Sequence, residues 1–143
     1  MRPYLVLVAL AACGSGEDVD GRLAARLAAL GLGTGPIAFA DAMKGIETKA
    51  YEGLLARVGS KRLRRDETLD AVLDIGNLLA RADPLTAAAR PPDPLGFDAR
   101  LADARERALA LARAVASGGT GEAEARELIA SCVSCHVTFR ILR

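Results

Sequence analysis

The stretch that decides the fold lies near the C-terminus and carries two of the three cysteines and the only histidine of the chain. It reads Cys132-Val133-Ser134-Cys135-His136-Val137-Thr138-Phe139-Arg140. Apolar residues recur at three- and four-residue intervals over residues 125–139, which predicts one helix through this stretch. On such a helix Cys132, Cys135 and His136 share one side, because they are spaced by three and four residues. The two thiols and the imidazole can therefore face the same ligand.

The Cys-x-x-Cys-His spacing is the pattern of a c-type haem attachment site. The two thiols add to the two vinyl groups of one porphyrin, and the histidine presents its imidazole to the iron. A thioredoxin-type redox pair needs a strand before the helix, and none is predicted here. A structural zinc site needs four ligands, whereas only Cys13 remains outside the motif. We therefore expect one covalent haem c, bound through Cys132, Cys135 and His136.

The N-terminus resembles an export signal. Arg2 precedes an unbroken apolar stretch over residues 4–12, which is too short to span a bilayer, since spanning takes roughly twenty residues. Its end, Leu10-Ala11-Ala12-Cys13, resembles a bacterial lipobox, in which the cysteine becomes the acylated first residue of the mature chain. We expect a signal peptide over residues 1–12 and lipidation at Cys13. The alternative is an ordinary secretory signal that leaves Cys13 a free thiol.

Both interpretations of the N-terminus predict the bacterial periplasm, and lipidation adds attachment to a membrane surface. The net charge of +1 argues against a nucleic-acid partner. The concentrated basic run, residues 61–65, is typical of a solvated interhelical loop. Aromatic residues make up only 3% and tryptophan is absent, so aliphatic side chains and the porphyrin itself have to fill the interior.

Hydrophobic periodicity predicts an all-α protein, an antiparallel four-helix bundle with a short extra N-terminal helix. A proline-rich connection is expected at residues 86–94. The four bundle helices are expected at Pro36–Val58, Asp66–Ala82, Phe97–Val115 and Ala125–Phe139.

The extra helix is indicated by an apolar stripe over residues 19–30. We expect it to pack against the outside of the bundle, rather than to bind a partner or lie on a membrane. The organisation is then a tether with this helix at residues 13–35, followed by a haem-binding bundle at residues 36–143.

The motif and the helix pattern together resemble the cytochrome c′ family and its low-spin bundle relatives, which carry the haem motif on the C-terminal helix. The resemblance covers roughly residues 36–140. It implies that Arg140, four residues after His136, lies beside the proximal face of the haem. It also implies that the first bundle helix supplies the residue covering the distal face, about four turns before Gly59. Met43 occupies that position.

The chain departs from the family one turn before Met43. Many cytochromes c′ have an arginine there that meets the haem propionates, whereas this chain has Phe39 in the predicted haem pocket. Contacts with the propionates are then left to Lys44, Lys49 or solvent.

Met43 decides between two functions. A thioether bound to iron opposite His136 gives a six-coordinate, low-spin haem suited to electron transfer with a redox partner protein. If Met43 only lines the pocket, the open position binds nitric oxide or carbon monoxide. We expect electron transfer, with gas binding as the alternative. Peroxidase-like chemistry needs a distal acid–base group and the only histidine is proximal, so no enzymatic activity is expected. Family members often dimerise, and the sequence leaves dimerisation of this chain open.

Overall fold

The computed structural model describes residues 16–49, 54, 65–87 and 93–139. The predicted lipidation site Cys13 and the predicted proximal residue Arg140 both lie outside the described residues. Residues 50–53 and 55–58 of the expected first bundle helix also lie outside them.

The described part of the chain is all-α with little strand, as the hydrophobic periodicity predicts. Five α-helices occur in it, and α1 corresponds to the expected extra helix. They are α1 (Gly16–Ala29), α2 (Phe39–Glu47), α3 (Arg65–Arg81), α4 (Pro94–Ala116) and α5 (Glu122–Phe139).

Helix α4 begins three residues earlier than expected. The Asp93 carboxylate accepts a 3.0 Å hydrogen bond from the Gly96 amide, which satisfies an otherwise unpaired donor of the first turn. Pro94 follows as the first helical residue, where a proline loses no hydrogen bond. The cap and the proline together set this boundary, although the apolar stripe starts only at Phe97.

Helix α2 begins later than expected, because the residues before it form a strand that the sequence analysis did not predict. Strand β1 (Ile37–Ala38) pairs in parallel with β2 (Ala82–Asp83), directly after α3. The Phe39 amide then donates a 2.8 Å hydrogen bond to the Thr86 hydroxyl. A two-residue pairing is too short to show strand alternation in a sequence. It fixes the start of α2 to the end of α3.

Helices α4 and α5 pack antiparallel, because residue numbers rise along α5 as they fall along α4 at their mutual contacts. The turn between them contains Gly118 with φ of +100°, a conformation that favours glycine. We call the three polar contacts across this interface the polar ladder. They are Arg107–Glu127 at 3.0 Å, Ser131–Asp103 at 2.6 Å and Arg100–Ser134 at 3.1 Å.

Two groups of buried apolar side chains form the core. The first, the aliphatic cluster, joins α1, α3, α4 and α5: Leu23, Leu54, Leu69, Val72, Leu73, Ala108, Leu111, Ala112, Val115, Ala125 and Leu128. The second, the aromatic cluster, joins α2, α3 and α4: Phe39, Ala42, Ile46, Ile75, Leu79, Ala82, Phe97, Leu101 and Ala104.

The aromatic cluster marks one end of the molecule. Phe39 is the first residue of α2 and Phe97 lies in the first turn of α4. Ala82 directly follows α3, and Phe139, which packs against the cluster, is the last residue of α5. The starts of α2 and α4 therefore lie close to the ends of α3 and α5.

Helix α1 packs against its own domain, as expected. Leu23 is buried in the aliphatic cluster. The Arg26 Nε donates a 2.6 Å hydrogen bond to Asp70 of α3, and Arg113 of α4 binds Asp20 through two hydrogen bonds of 2.8 and 2.9 Å. None of the helices in the described ranges has both the length and the apolar content needed to cross a membrane.

Candidate haem-attachment site

The structure places the motif in the last two turns of α5. Cys132 and Cys135 are free thiols of intermediate burial, and His136 is exposed. Cys132 packs against the aliphatic cluster and Cys135 against the aromatic cluster. The motif therefore lies at the junction of the two clusters, with both thiols turned towards the interior and the imidazole at its edge.

The polar ladder to α4 lies on a different side of α5 from His136. The ladder residues Glu127, Ser131 and Ser134 are spaced by four and three residues and form one stripe. At 3.6 residues per turn, His136 lies roughly 40° around the helix from Cys132 and roughly 160° from Ser134. The imidazole therefore lies on a flank of α5 that α4 leaves free.

Burial governs the thiol chemistry. Desolvation raises the pKa of the Cys132 thiol, and the neighbouring Cys135 raises it further. Desolvation also raises the pKa of the Cys135 thiol, while the positive charge of Arg100 acts in the opposite direction. Both side chains are therefore protonated at neutral pH, unlike the low-pKa cysteine of a reactive redox pair.

Met43 reaches the same core region as the motif. Its side chain is partly buried and packs against the aromatic cluster, as do those of Cys135 and Phe139. Every side chain of that cluster is apolar. The structure thus brings the predicted distal residue and one attachment cysteine to one apolar region, although α2 and α5 are not among the extensively packed helix pairs of the described residues.

The other predicted site residues have separate surroundings. Phe39 is buried and its ring contacts that of Phe97 at 5.3 Å between centroids, so it extends the apolar wall next to Met43. Lys49 forms an ion pair with Asp74 of α3, which occupies its charge. Lys44 is exposed on α2 and is therefore the more accessible of the two lysines for a contact with a haem propionate.

Sequence reasoning missed the residues that hold α5 in register. Ser131, next to Cys132, is one of two buried polar residues in the described part of the chain, and its hydroxyl donates to Asp103. Hydrogen bonds from Arg107 and then Ser131 lower the pKa of Asp103. No local sequence pattern indicates that the serine next to the cysteine motif contacts an aspartate 28 residues earlier.

A groove of about 630 Å³ lies between α1, the start of α3 and the end of α4. None of the predicted site residues lines it. Its arginines are already engaged: Arg26 binds Asp70, and Arg65 donates to the carbonyls of Val115 and Ala116 at 2.8 and 3.0 Å. Arg65 also begins α3 rather than lying in the expected basic loop, and residues 61–64 are outside the described ranges.

The motif residues fit a covalently attached haem. The two thiols are free and one helical turn apart, and the imidazole of the next residue is exposed. Within the described ranges, the motif included, no three or more His, Cys, Asp or Glu side chains are grouped as metal ligands. Comparison of the chain with protein-family models, curated proteins and solved structures gives no match.

Proposed function

We propose that the protein binds one haem c through Cys132 and Cys135, with His136 as an iron ligand, and acts in periplasmic electron transfer. The observation that carries this proposal is the placement of two free, half-buried thiols and an exposed imidazole within the last two turns of α5, with the imidazole on the flank away from the polar ladder. A bound haem supplies one-electron chemistry. Cys132 and Cys135 would attach the haem, His136 would supply a nitrogen ligand to its iron, and the adjoining apolar side chains would shield it from water.

Met43 is the residue that would supply a second protein ligand to the haem iron. It packs against the same apolar cluster as Cys135, and that cluster contains no competing basic side chain. A thioether ligand in such surroundings raises the reduction potential and suits a carrier of electrons. The alternative, a nitric oxide or carbon monoxide-binding protein, follows if Met43 only lines the pocket, since methionine also fills irregular apolar cores.

The fold that we propose is an antiparallel four-helix bundle of the cytochrome c′ type, with α1 as an extra helix. Two observations support it: α4 and α5 run antiparallel along the polar ladder, and α2 and α4 start where α3 and α5 finish. The short connection between α4 and α5, residues 117–121, is usual between successive antiparallel helices of such bundles.

We also propose export and lipid anchoring through Cys13, on the basis of the lipobox resemblance alone. Acyl chains on one residue attach a protein firmly to a membrane surface without a spanning helix. Mass spectrometry of the mature N-terminus tests this, and an unmodified Cys13 would contradict it without affecting the haem proposal.

The electron-transfer proposal is tested by the spectrum of the holoprotein. Ligation by Met43 predicts a sulfur-to-iron charge-transfer band in the ferric state and slow, weak carbon monoxide binding in the ferrous state, because carbon monoxide has to displace the thioether. Met43→Leu should abolish the band and make carbon monoxide binding fast and tight, whereas Leu109→Met, at an exposed position on α4, should change neither property. A wild-type ferrous protein that binds carbon monoxide at once would refute electron transfer in favour of gas binding.

A further inference from the structure

All three phenylalanines of the chain gather at one end of the molecule. The ring of Phe97 lies between the other two, with centroid distances of 5.3 Å to Phe39 and 5.3 Å to Phe139. The second contact is edge-to-face, at an interplanar angle of 87°, which is a favourable arrangement for aromatic rings. Phe97 is only 2% exposed, so neighbouring side chains surround its ring and restrict its position.

The outer two rings belong to the two helices that carry the predicted iron ligands. Phe39 is four residues, or about one turn, before Met43 on α2. Phe139 is three residues after His136 on α5. Each ring therefore lies about one helical turn from its ligand, on the same side of the molecule.

Helices α2 and α5 each pack mainly on another helix, so α3 and α4 largely determine their relative position. In the described residues, α2 packs mainly on α3 and α5 mainly on α4. The start of α2 is held to the end of α3 by the β1–β2 pairing and by the Phe39–Thr86 hydrogen bond. Phe97, at the start of α4, is the side chain whose ring contacts a ring from each ligand-bearing helix.

We infer that Phe97 is a positioning residue that sets the separation of Met43 from His136, and thereby the access of a sixth ligand to the haem iron. The inference rests on the proposed haem function. A packed core resists continuous deformation, so a ring wedged between two helices holds them at one spacing. A smaller side chain loses contact with one of the outer rings and lets α2 shift relative to α5.

The test is the carbon monoxide affinity of the ferrous holoprotein in wild type, Phe97→Leu and Phe97→Met. Phe97→Leu should raise the affinity by at least roughly fivefold, the lower range of a typical coupling between sites. The affinity should rise whether or not Met43 ligates the iron. If Met43 is a ligand, a shift of α2 makes the thioether easier to displace; if Met43 only lines the pocket, the shift leaves more room for carbon monoxide. Phe97→Met has no ring and about the volume of leucine, but its unbranched side chain adapts to irregular gaps in a core, so it should fold even if Phe97→Leu does not, and it should show the same direction.

The matched control is Leu111→Val in the aliphatic cluster, where Leu111 is as deeply buried as Phe97. It should lower stability while leaving carbon monoxide affinity within about twofold of wild type, because additivity holds between separate sites. An unchanged affinity in both Phe97 variants, or an equal rise in Leu111→Val, would overturn the inference. A wild-type protein without covalent haem would instead overturn the proposed function, and the inference with it.

Discussion

The aliphatic and aromatic clusters differ in composition and in what borders them. The aliphatic cluster contains no aromatic ring, joins four of the five described helices and meets the motif through Cys132. The aromatic cluster holds Phe39 and Phe97, and Phe139, Met43 and Cys135 pack against it. The comparison indicates a division of roles: the aliphatic cluster stabilises the fold, and the aromatic cluster sets the geometry between α2 and α5.

The largest effect should come from truncation in the aliphatic cluster. Leu111 is 1% exposed, and Leu111→Ala should destabilise the protein by about 2–5 kcal/mol through lost burial and a cavity. Urea unfolding followed by circular dichroism measures this. Leu109→Ala, at an exposed site two residues away, should change stability by less than about 0.5 kcal/mol. Equal decreases in the free energy of unfolding in the two variants would contradict the conclusion that the aliphatic cluster stabilises the fold.

The next effect concerns the polar ladder beside both clusters. Ser131→Ala removes the buried hydroxyl that donates to Asp103 at 2.6 Å, and should cost about 0.5–1.5 kcal/mol, the net contribution of a typical hydrogen bond, because Asp103 is 40% exposed and keeps its bonds to Arg107. Ser134→Ala removes the more exposed contact with Arg100 and should cost clearly less. Urea midpoints of the two variants test the difference; equal values would mean that burial does not determine the strength of the ladder.

A smaller effect is expected from pH. Hydrogen bonds from Arg107 and Ser131 hold the pKa of Asp103 below its ordinary value of 3.8. A lowered folded-state pKa adds stability above about pH 4, which is lost as the pH falls through the folded-state value. The Asp103 side chain is 40% exposed, so the contribution should be no more than about 1 kcal/mol. Urea midpoints between pH 6 and about pH 3 should fall less steeply in Asp103→Asn than in wild type; parallel curves would contradict this.

The smallest effect should follow from breaking the surface attachment of α1. Asp20 and Arg113 form a two-bond ion pair, but both side chains are about half exposed, and solvent and salt screen such pairs. Asp20→Asn should leave the thermal midpoint nearly unchanged at physiological salt, while Leu23→Ala should lower it clearly. A larger drop in Asp20→Asn would mean that charge, not burial, attaches α1 to the aliphatic cluster.

The clusters also show what the sequence could and could not predict. The helical stretch at residues 125–139 follows from local spacing, and the structure confirms it. The shared side of Cys132, Cys135 and His136 is a prediction from the same spacing; the structure leaves the two thiols half-buried and the imidazole exposed. The β1–β2 pairing joins residues 45 apart over two positions, which leaves no periodic signal. The ladder and the ring contacts depend on which faces of separate helices meet, and no local pattern encodes that. The lipidation site and the proximal arginine stay predictions.

The most direct test of the central claim is a peptide map, by mass spectrometry, of the purified protein matured with functional haem-ligation machinery. We predict that the denatured protein carries the mass of one haem on the peptide that contains Cys132 and Cys135, and that replacing both cysteines by alanine removes it. Two unmodified thiols in the wild-type peptide, found although the haem-ligation machinery was functional, would contradict the account.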